Sequence, residues 1–418
     1  MKLKNTKKSS EKRYLAIELT TTQACNFRCE YCFENDYCTP DDNIVTNRLD
    51  EVIESLKNLF TSEFFEENFG LGKITFWGGE PTLNTKLIEK VVDSFIDDKR
   101  IGFFIYTNAS RMKEMLPIFN KLKGEKIKNE PRFTIQISYD GNPVHDMRRK
   151  TRSGEPSSKI CLEAMKLLKD NDIPFALKAT LAQRDFKYLP EIWNDFEKLH
   201  NEFGTSYSLT SDYENPEIYK YWDEIEEALL EISKKEYHFY KKHGRFLSNL
   251  FKGSKRFCSA GKNMFTIDID GRMFLCHGCL YSDSKEDLSF SSIFEDDFIE
   301  KIKESYDKFF ITERQPEECE NCVAGLCIRC NTRKYISSNK EEFLDKWYDY
   351  TSQKDLCDFY KMLGRIGRAL TEILKEEKIW DAHSNVPETL DVQQIQTAQE
   401  TNHSVEGTKQ HGQQTQQS

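Results

Sequence analysis

Three of the thirteen cysteines in this 418-residue chain, Cys25, Cys29 and Cys32, fall within eight positions in the stretch QACNFRCEYCFE. Thiolates are soft ligands that take zinc or the irons of a cluster. A structural zinc is closed by four ligands, usually two C-x2-C pairs, so the spacing C-x3-C-x2-C leaves one position of a metal centre open. A four-iron cubane held by three cysteines likewise keeps one iron free for an outside molecule. The competing reading is a zinc knuckle completed by Cys38 or a distant histidine.

A second group comprises Cys258, Cys276, Cys279, Cys319, Cys322, Cys327, Cys330 and Cys357, and these eight thiolates make two complete four-ligand sites. The quartet Cys319-x2-Cys322-x4-Cys327-x2-Cys330 suits a zinc ribbon or a cluster, and spacing does not choose between them. Cys161 sits in an amphipathic run, where a cysteine reads as a small buried hydrophobe. Cys38 has no assignment. The basic start MKLKNTKKSSEKR has no apolar signal stretch behind it, and no window approaches the ~20 apolar residues of a spanning helix. The expected setting is the cytoplasm, where thiols stay reduced, so metal or redox use is expected ahead of disulfides. A net charge of -10 opposes general attraction to a phosphate backbone, and neither nucleic acid nor membrane is an expected partner.

These residues need elements to position them. From Tyr14 to about Ser211, short strand-like runs alternate with amphipathic helical ones, the pattern of repeated β/α units around a parallel sheet. Six strands are expected, over residues 14–20, 73–77, 101–107, 132–138, 174–180 and 205–211. Stretches such as LDEVIESLKNLF and CLEAMKLLKD read as covering helices. Units of this kind close partly into a barrel or lie open as a doubly wound sheet, and in both the chemistry gathers at the carboxyl ends of the strands. The three-cysteine loop follows strand one. The chain divides into a disordered basic N-terminus (1–13), a barrel (14–212), linker helices (213–253), a cysteine-rich domain (254–357), a docking helix (358–380) and a disordered polar tail (381–418).

With Tyr31 before its last cysteine, the first motif resembles that of the radical S-adenosylmethionine (SAM) superfamily. Gly78-Gly79-Glu80-Pro81 after strand two resembles the family's GGEP segment. Thr107-Asn108-Ala109, Ser138-Tyr139-Asp140-Gly141 and His145-Asp146-Met147-Arg148-Arg149 resemble the TN(G/A), SxDG and HDxxR segments of its peptide- and protein-modifying branch. The later cysteines resemble the SPASM extension of that branch, although its quartet is usually more widely spaced. The resemblance implies an α/β fold, a partial (β/α)6 TIM-like barrel followed by a SPASM-type domain, with SAM and three 4Fe-4S clusters as cofactors. Cys25, Cys29 and Cys32 would hold the SAM-binding cluster. Cys258, Cys276, Cys279 and Cys330 would hold the first auxiliary cluster, and Cys319, Cys322, Cys327 and Cys357 the second. Gly78, Gly79, Glu80 and Pro81 would hold the methionine end of SAM, with Asn108, Ser138 and Asp140 near its ribose or the substrate. His145, Asp146 and Arg149 read on their own as an ion-paired turn that orders the loop.

The family's chemistry begins when an electron from the reduced cluster breaks a sulfur-carbon bond of SAM, giving a 5'-deoxyadenosyl radical that takes hydrogen from the substrate. The expected function is that of an oxidoreductase maturing a ribosomally synthesised precursor peptide by a carbon-carbon, ether or thioether crosslink. Its implied partners are the peptide and an electron donor such as flavodoxin or ferredoxin. The leader would be bound by a separate protein, or by the barrel and linker helices. A second expectation is formylglycine formation in sulfatases, but enzymes of that kind carry an Asp where this chain has His277. A third, a non-enzymatic zinc or iron-sulfur scaffold, leaves the GGEP and SYDG segments without a purpose.

Overall fold

The computed structural model describes residues 13–32, 34, 43–211, 218–251, 256–257, 259–280, 285–311, 322–323, 328–329 and 354–377. Residues 1–12 and the 381–418 tail lie outside the described residues, as do Cys38, Cys258, Cys319, Cys327 and Cys330.

Period-two alternation makes the strands. In β1 (Arg13–Thr22), Leu15, Ile17 and Leu19 share one fully buried face. It is followed by α1 (Leu49–Thr61), β2 (Gly70–Gly78), α2 (Thr85–Phe95), β3 (Ile101–Thr107) and α3 (Met112–Lys121). Next come β4 (Phe133–Ser138), α4 (Ser158–Asp170), β5 (Phe175–Leu181), α5 (Leu189–Phe203) and β6 (Ser206–Ser211). The six strands pair in chain order, every pair parallel, at the positions expected from the alternation.

The two faces of this sheet differ. Ile74, Phe76, Phe103, Ile105, Phe133, Ile135 and Ile137 join the β1 leucines under the helices, and rings of Phe76, Phe103 and Phe133 stack 5.8–6.2 Å apart. Burial of each such side chain contributes about 1.5–3 kcal/mol. On the other face Lys73, Trp77, Phe104, Tyr106, Gln136, Ser138 and Lys178 are only half-buried. The inner wall is therefore polar, aromatic and reachable.

The later part of the chain joins the same sheet. After α6 (Trp222–His243), strand β7 (Met264–Ile267) pairs in parallel with β1, Ala16 opposite Met264 and Leu19 opposite Ile267. Strands β8 (Arg272–Phe274) and β9 (Ser291–Ser292) extend it antiparallel, giving the order β9-β8-β7-β1-β2-β3-β4-β5-β6. Helix α7 (Phe298–Ile311) follows, and α8 (Lys354–Glu376) buries Phe359, Met362, Leu363, Ile366, Leu370 and Leu374 in the common core. Among the described residues no helix is long and apolar enough to cross a membrane.

Candidate functional site

Strand β1 ends at Thr22, and the loop beyond it carries Cys25, Cys29 and Cys32. The end of β2 holds this loop from one side. Gly79 N–H donates to the Thr22 carbonyl (3.0 Å) and Glu80 N–H to that of Ala24 (2.9 Å). Gly78 has φ +138°, and a Cβ there would lie 2.1 Å from the Thr22 oxygen; one on Gly79 would lie 2.6 Å from the oxygens of Gln23 and Ala24. Only glycine lets the two backbones approach so closely.

The segment 148–152 holds the loop from the other side. Arg28 N–H donates to Lys150 O (2.8 Å), Glu30 N–H to Arg148 O (2.8 Å) and Arg152 N–H to Asn26 O (3.1 Å). Arg148 bonds Glu30 at 2.6 Å and grips both oxygens of Asp185 at 2.7 and 2.9 Å, while Arg184 also pairs with Glu30.

Asp140 lies beneath, fully buried. It accepts hydrogen bonds from the Tyr31 hydroxyl, from Arg149 Nε (2.9 Å) and from Thr180 N–H (2.9 Å), so both of its oxygens are engaged within the protein. Arg149 Nη1 is 3.9 Å from Cys29 Sγ. Burial pushes the Cys29 thiol up and Arg149 pulls against it. The 145–149 turn is braced by hydrogen bonds: His145 Nδ1 accepts from Asp140 N–H (3.2 Å), and Asp146 accepts from Ser157 N–H (2.9 Å) and Ser158 N–H (2.7 Å).

Glu80 ties the end of β2 to the end of β3. Its Oε1 accepts from Thr82 N–H (3.1 Å), Thr82 Oγ1 (2.5 Å) and Thr107 Oγ1 (2.7 Å), and its Oε2 accepts from Asn108 N–H (2.7 Å). Burial raises its pKa against the pull of those donors. The Pro81 carbonyl accepts from Thr21 Oγ1 at 3.1 Å. Asn108 Nδ2 donates to Asn26 Oδ1 (2.8 Å), which lies inside the cysteine motif. Ser138 closes β4, half-buried at the same end. Cys161 is buried in α4 with Sγ 3.6 Å from Asn108 O, and burial raises its thiol to about 12.

The structure thus brings Cys25, Cys29, Cys32, Gly78, Gly79, Glu80, Pro81, Asn108, Ser138 and Asp140 to one end of β1–β4. Sequence reasoning missed Asn26, Glu18 and Lys178. Glu18, on the inner face of β1, accepts from His277 Nδ1 (3.0 Å), His277 N–H (3.2 Å) and Thr266 Oγ1 (2.5 Å). Burial would lower the His277 pKa, but the charge of Glu18 outweighs it and holds it at about 9. The His277 ring stacks on Trp77 (4.0 Å, 20°), and Tyr106 meets Trp77 edge-on at 5.1 Å. Lys178 on β5 lies 5.8 Å from the Tyr106 ring, and burial pushes its pKa down. The only sequence signal for Glu18 and Lys178 was a charge at an inward strand position.

Cys276 and Cys279 are buried beside Phe274, Leu275 and Leu280. Cys322 and Cys357 are half-buried, the Cys322 carbonyl accepting from Arg368 of α8 at 3.5 Å. With their other members outside the described residues, neither auxiliary set is assembled among them. Nor, among the described residues, do three His, Cys, Asp or Glu side chains group around a point for a metal ion. The three-cysteine loop nevertheless has the donor set a cluster needs: soft sulfurs on one loop, a Phe27 N–H at 3.4 Å from Cys25 Sγ and a guanidinium beside Cys29.

Residues 19–182 match the model of the Radical SAM superfamily. The chain is 24% identical over 391 residues to the radical SAM cyclopropyl synthase TigE of Paramaledivibacter caminithermalis, covering 84% of this chain and 73% of that protein. It is 33% identical over 201 residues to an uncharacterized protein of Methanocaldococcus jannaschii, of which it spans 62%, and 47% of this chain is covered. Among solved structures, anSMEcpe with bound AdoMet and a peptide aligns with a TM-score of 0.61 at 18% identity, over 87% of this chain and 99% of that one. SuiB of Streptococcus suis, bound to its precursor peptide SuiA, aligns at 0.52 and 14%, over 77% and 73%. At these identities the two structures bear on the fold.

Proposed function

Residues 19–182 are a radical SAM domain, and from that premise we propose that the chain is a maturase that crosslinks a ribosomally synthesised precursor peptide through a carbon-carbon, ether or thioether bond. The observation that carries this reading is the meeting of the three-cysteine loop with Gly79, Glu80 and Asn108 at the mouth of a half-open inner wall. Cys25, Cys29 and Cys32 would hold the cluster, which with SAM would supply the radical chemistry for hydrogen abstraction from the substrate. The rest is positioning. Gly78 and Gly79 let the end of β2 pack directly on the backbone of the cysteine loop at Thr22–Ala24, and Glu80 ties that turn to the end of β3. Lys178 offers a cation to a ligand carboxylate. Trp77, Phe104 and Tyr106 give an amphipathic wall for a peptide side chain and keep bulk water from the reacting atoms.

TigE is named for making a cyclopropyl ring, which is carbon-carbon bond formation, and that name supports the same class of reaction here, while the peptides held in both solved structures support a peptide substrate. The proposal extends to two auxiliary clusters on the later eight cysteines, to a flavodoxin- or ferredoxin-like electron donor and to a cytoplasmic setting. Formylglycine formation is the second reading, and His277 weighs against it: paired with Glu18 and kept protonated up to about pH 9, it has no free site to accept a proton where that reaction uses an Asp.

Anaerobically reconstituted protein with dithionite is expected to cleave SAM to 5'-deoxyadenosine, and replacement of Cys25, Cys29 and Cys32 by Ala to abolish it. Cleavage that persists in that variant overturns the site. With a precursor peptide from the same locus, loss of two hydrogens by mass spectrometry supports the crosslink. An aldehyde formed on a sulfatase-derived peptide supports the second reading.

A further inference from the structure

Arg149 is buried against the cysteine loop, and its guanidinium has two sides. One side, Nη1, faces Cys29 Sγ at 3.9 Å, and the other, Nε, donates to Asp140 at 2.9 Å. The guanidinium also lies over the ring of Tyr31, 5.1 Å from its centroid, and the Tyr31 hydroxyl donates to Asp140. Tyr31 stands between Cys29 and Cys32 in the chain. Loop, cation and anion therefore form one unit. The unit is fixed from behind: Arg149 N–H donates to His145 O at 2.7 Å, and Ser157 Oγ donates to Arg149 O at 2.6 Å. Neither charge is needed for the turn's backbone bonds, and both are removed from water.

We propose that the Arg149–Asp140 pair sets the reduction potential of the cluster held by Cys25, Cys29 and Cys32, Arg149 raising it through Cys29 and Asp140 lowering it. The inference rests on the cluster reading given above. One-electron reduction adds a negative charge to a cluster. A buried cation beside a ligand sulfur stabilises the reduced form, a buried anion opposes it, and a low-dielectric surrounding leaves both effects poorly screened. Because Asp140 contacts the far side of the guanidinium, the positive end of the pair is turned toward Cys29. Arginine keeps its proton throughout the physiological range, so this field does not vary with pH.

The test is a potentiometric titration of the full-length, anaerobically reconstituted protein with dithionite and redox mediators, followed by electron paramagnetic resonance. The cluster of interest is identified as the signal that changes on adding SAM. At the potential where half of that wild-type cluster is reduced, the ratio of reduced to oxidised cluster is expected to fall about tenfold in Arg149→Gln, which for one electron is about 59 mV. It should stay within about twofold of wild type in Arg149→Lys, which keeps the charge, and rise in Asp140→Asn. Shifts of the same sign in Arg149→Gln and Asp140→Asn, or no shift in either at full iron content, overturn the inference. If Arg149→Gln fails to take up iron, the other two variants decide: a fall in Asp140→Asn, or a fall in Arg149→Lys, overturns it. A wild-type protein with no SAM-responsive cluster signal overturns the cluster reading itself, a different result from a cluster whose potential ignores these charges.

Discussion

His145 shows how much of the site's order rests on single, uncharged contacts. Its ring is 1% exposed, with Nδ1 accepting from Asp140 N–H and Nε2 3.0 Å from Ser157 Oγ. Burial lowers its pKa to about 4, so the folded protein holds it neutral where an unfolded chain would begin to protonate it near 6.5. A histidine with a depressed folded pKa contributes stability that is full above about pH 6.5 and is lost as the pH falls toward 4. Between pH 7 and pH 5 that loss amounts to about 2 kcal/mol. Urea unfolding of wild type and His145→Gln at the two pH values checks it: the wild type is expected to lose about that much more stability than the variant. Equal losses would show that His145 carries no such linkage. Residues of this kind were legible only in part. The cysteine spacing and GGEP are local patterns and could be read directly. Asn26, Glu18 and Lys178 could not, because their partners lie far away in the chain: Glu18 meets His277 across 259 positions, and Asn26 meets Asn108 across 82.

At the scale of elements, the site depends on how the strand ends are tied to one another. Thr107, the last residue of β3, donates from Oγ1 to Glu80 at 2.7 Å and accepts there from Ala109 N–H at 2.9 Å. Thr107→Val keeps the shape and deletes both bonds, leaving a buried N–H and a buried carboxylate oxygen each short of a partner. The expected cost is about 1–3 kcal/mol in chemical denaturation, with Thr107→Ser close to wild type. A neutral Val substitution would mean that the β2 and β3 ends are held independently. The strands themselves were readable because β4 and β5 alternate buried with half-buried residues, and β1 and β2 keep their aliphatic and aromatic core residues at the same period of two. The half-open inner face also explains why lysine and glutamine occur in strands whose other face is aliphatic and aromatic, while the buried Glu18 is held there by His277 and Thr266. The loop clamp by residues 148–152 was not readable, since its bonds are made by backbone groups that carry no sequence signature.

At the scale of the whole molecule, periodicity divides the chain near Ser254, yet three strands beyond that point lie on the same sheet as the barrel. The signal was weak because β7 has four residues and β8 three, too few for an alternation to stand out, and the pairing of Ala16 with Met264 leaves no trace in either segment alone. This arrangement gives β1 two parallel neighbours, β2 and β7, and places the cysteine loop at the centre of the sheet rather than at its edge. It also gives Glu18 its partners, since Thr266 and His277 both come from the later segment. A fragment ending at residue 253 would expose the whole β1 edge, leave Glu18 buried or half-buried without its cation, and remove α8 with its six or more core side chains. Such a fragment is expected to aggregate or to lack a cooperative thermal transition by circular dichroism, whereas the full chain is expected to melt cooperatively. If the fragment is a soluble monomer with a sharp transition, the later segment is an appendage to a self-sufficient barrel, and its strands do not help hold the cysteine loop in place.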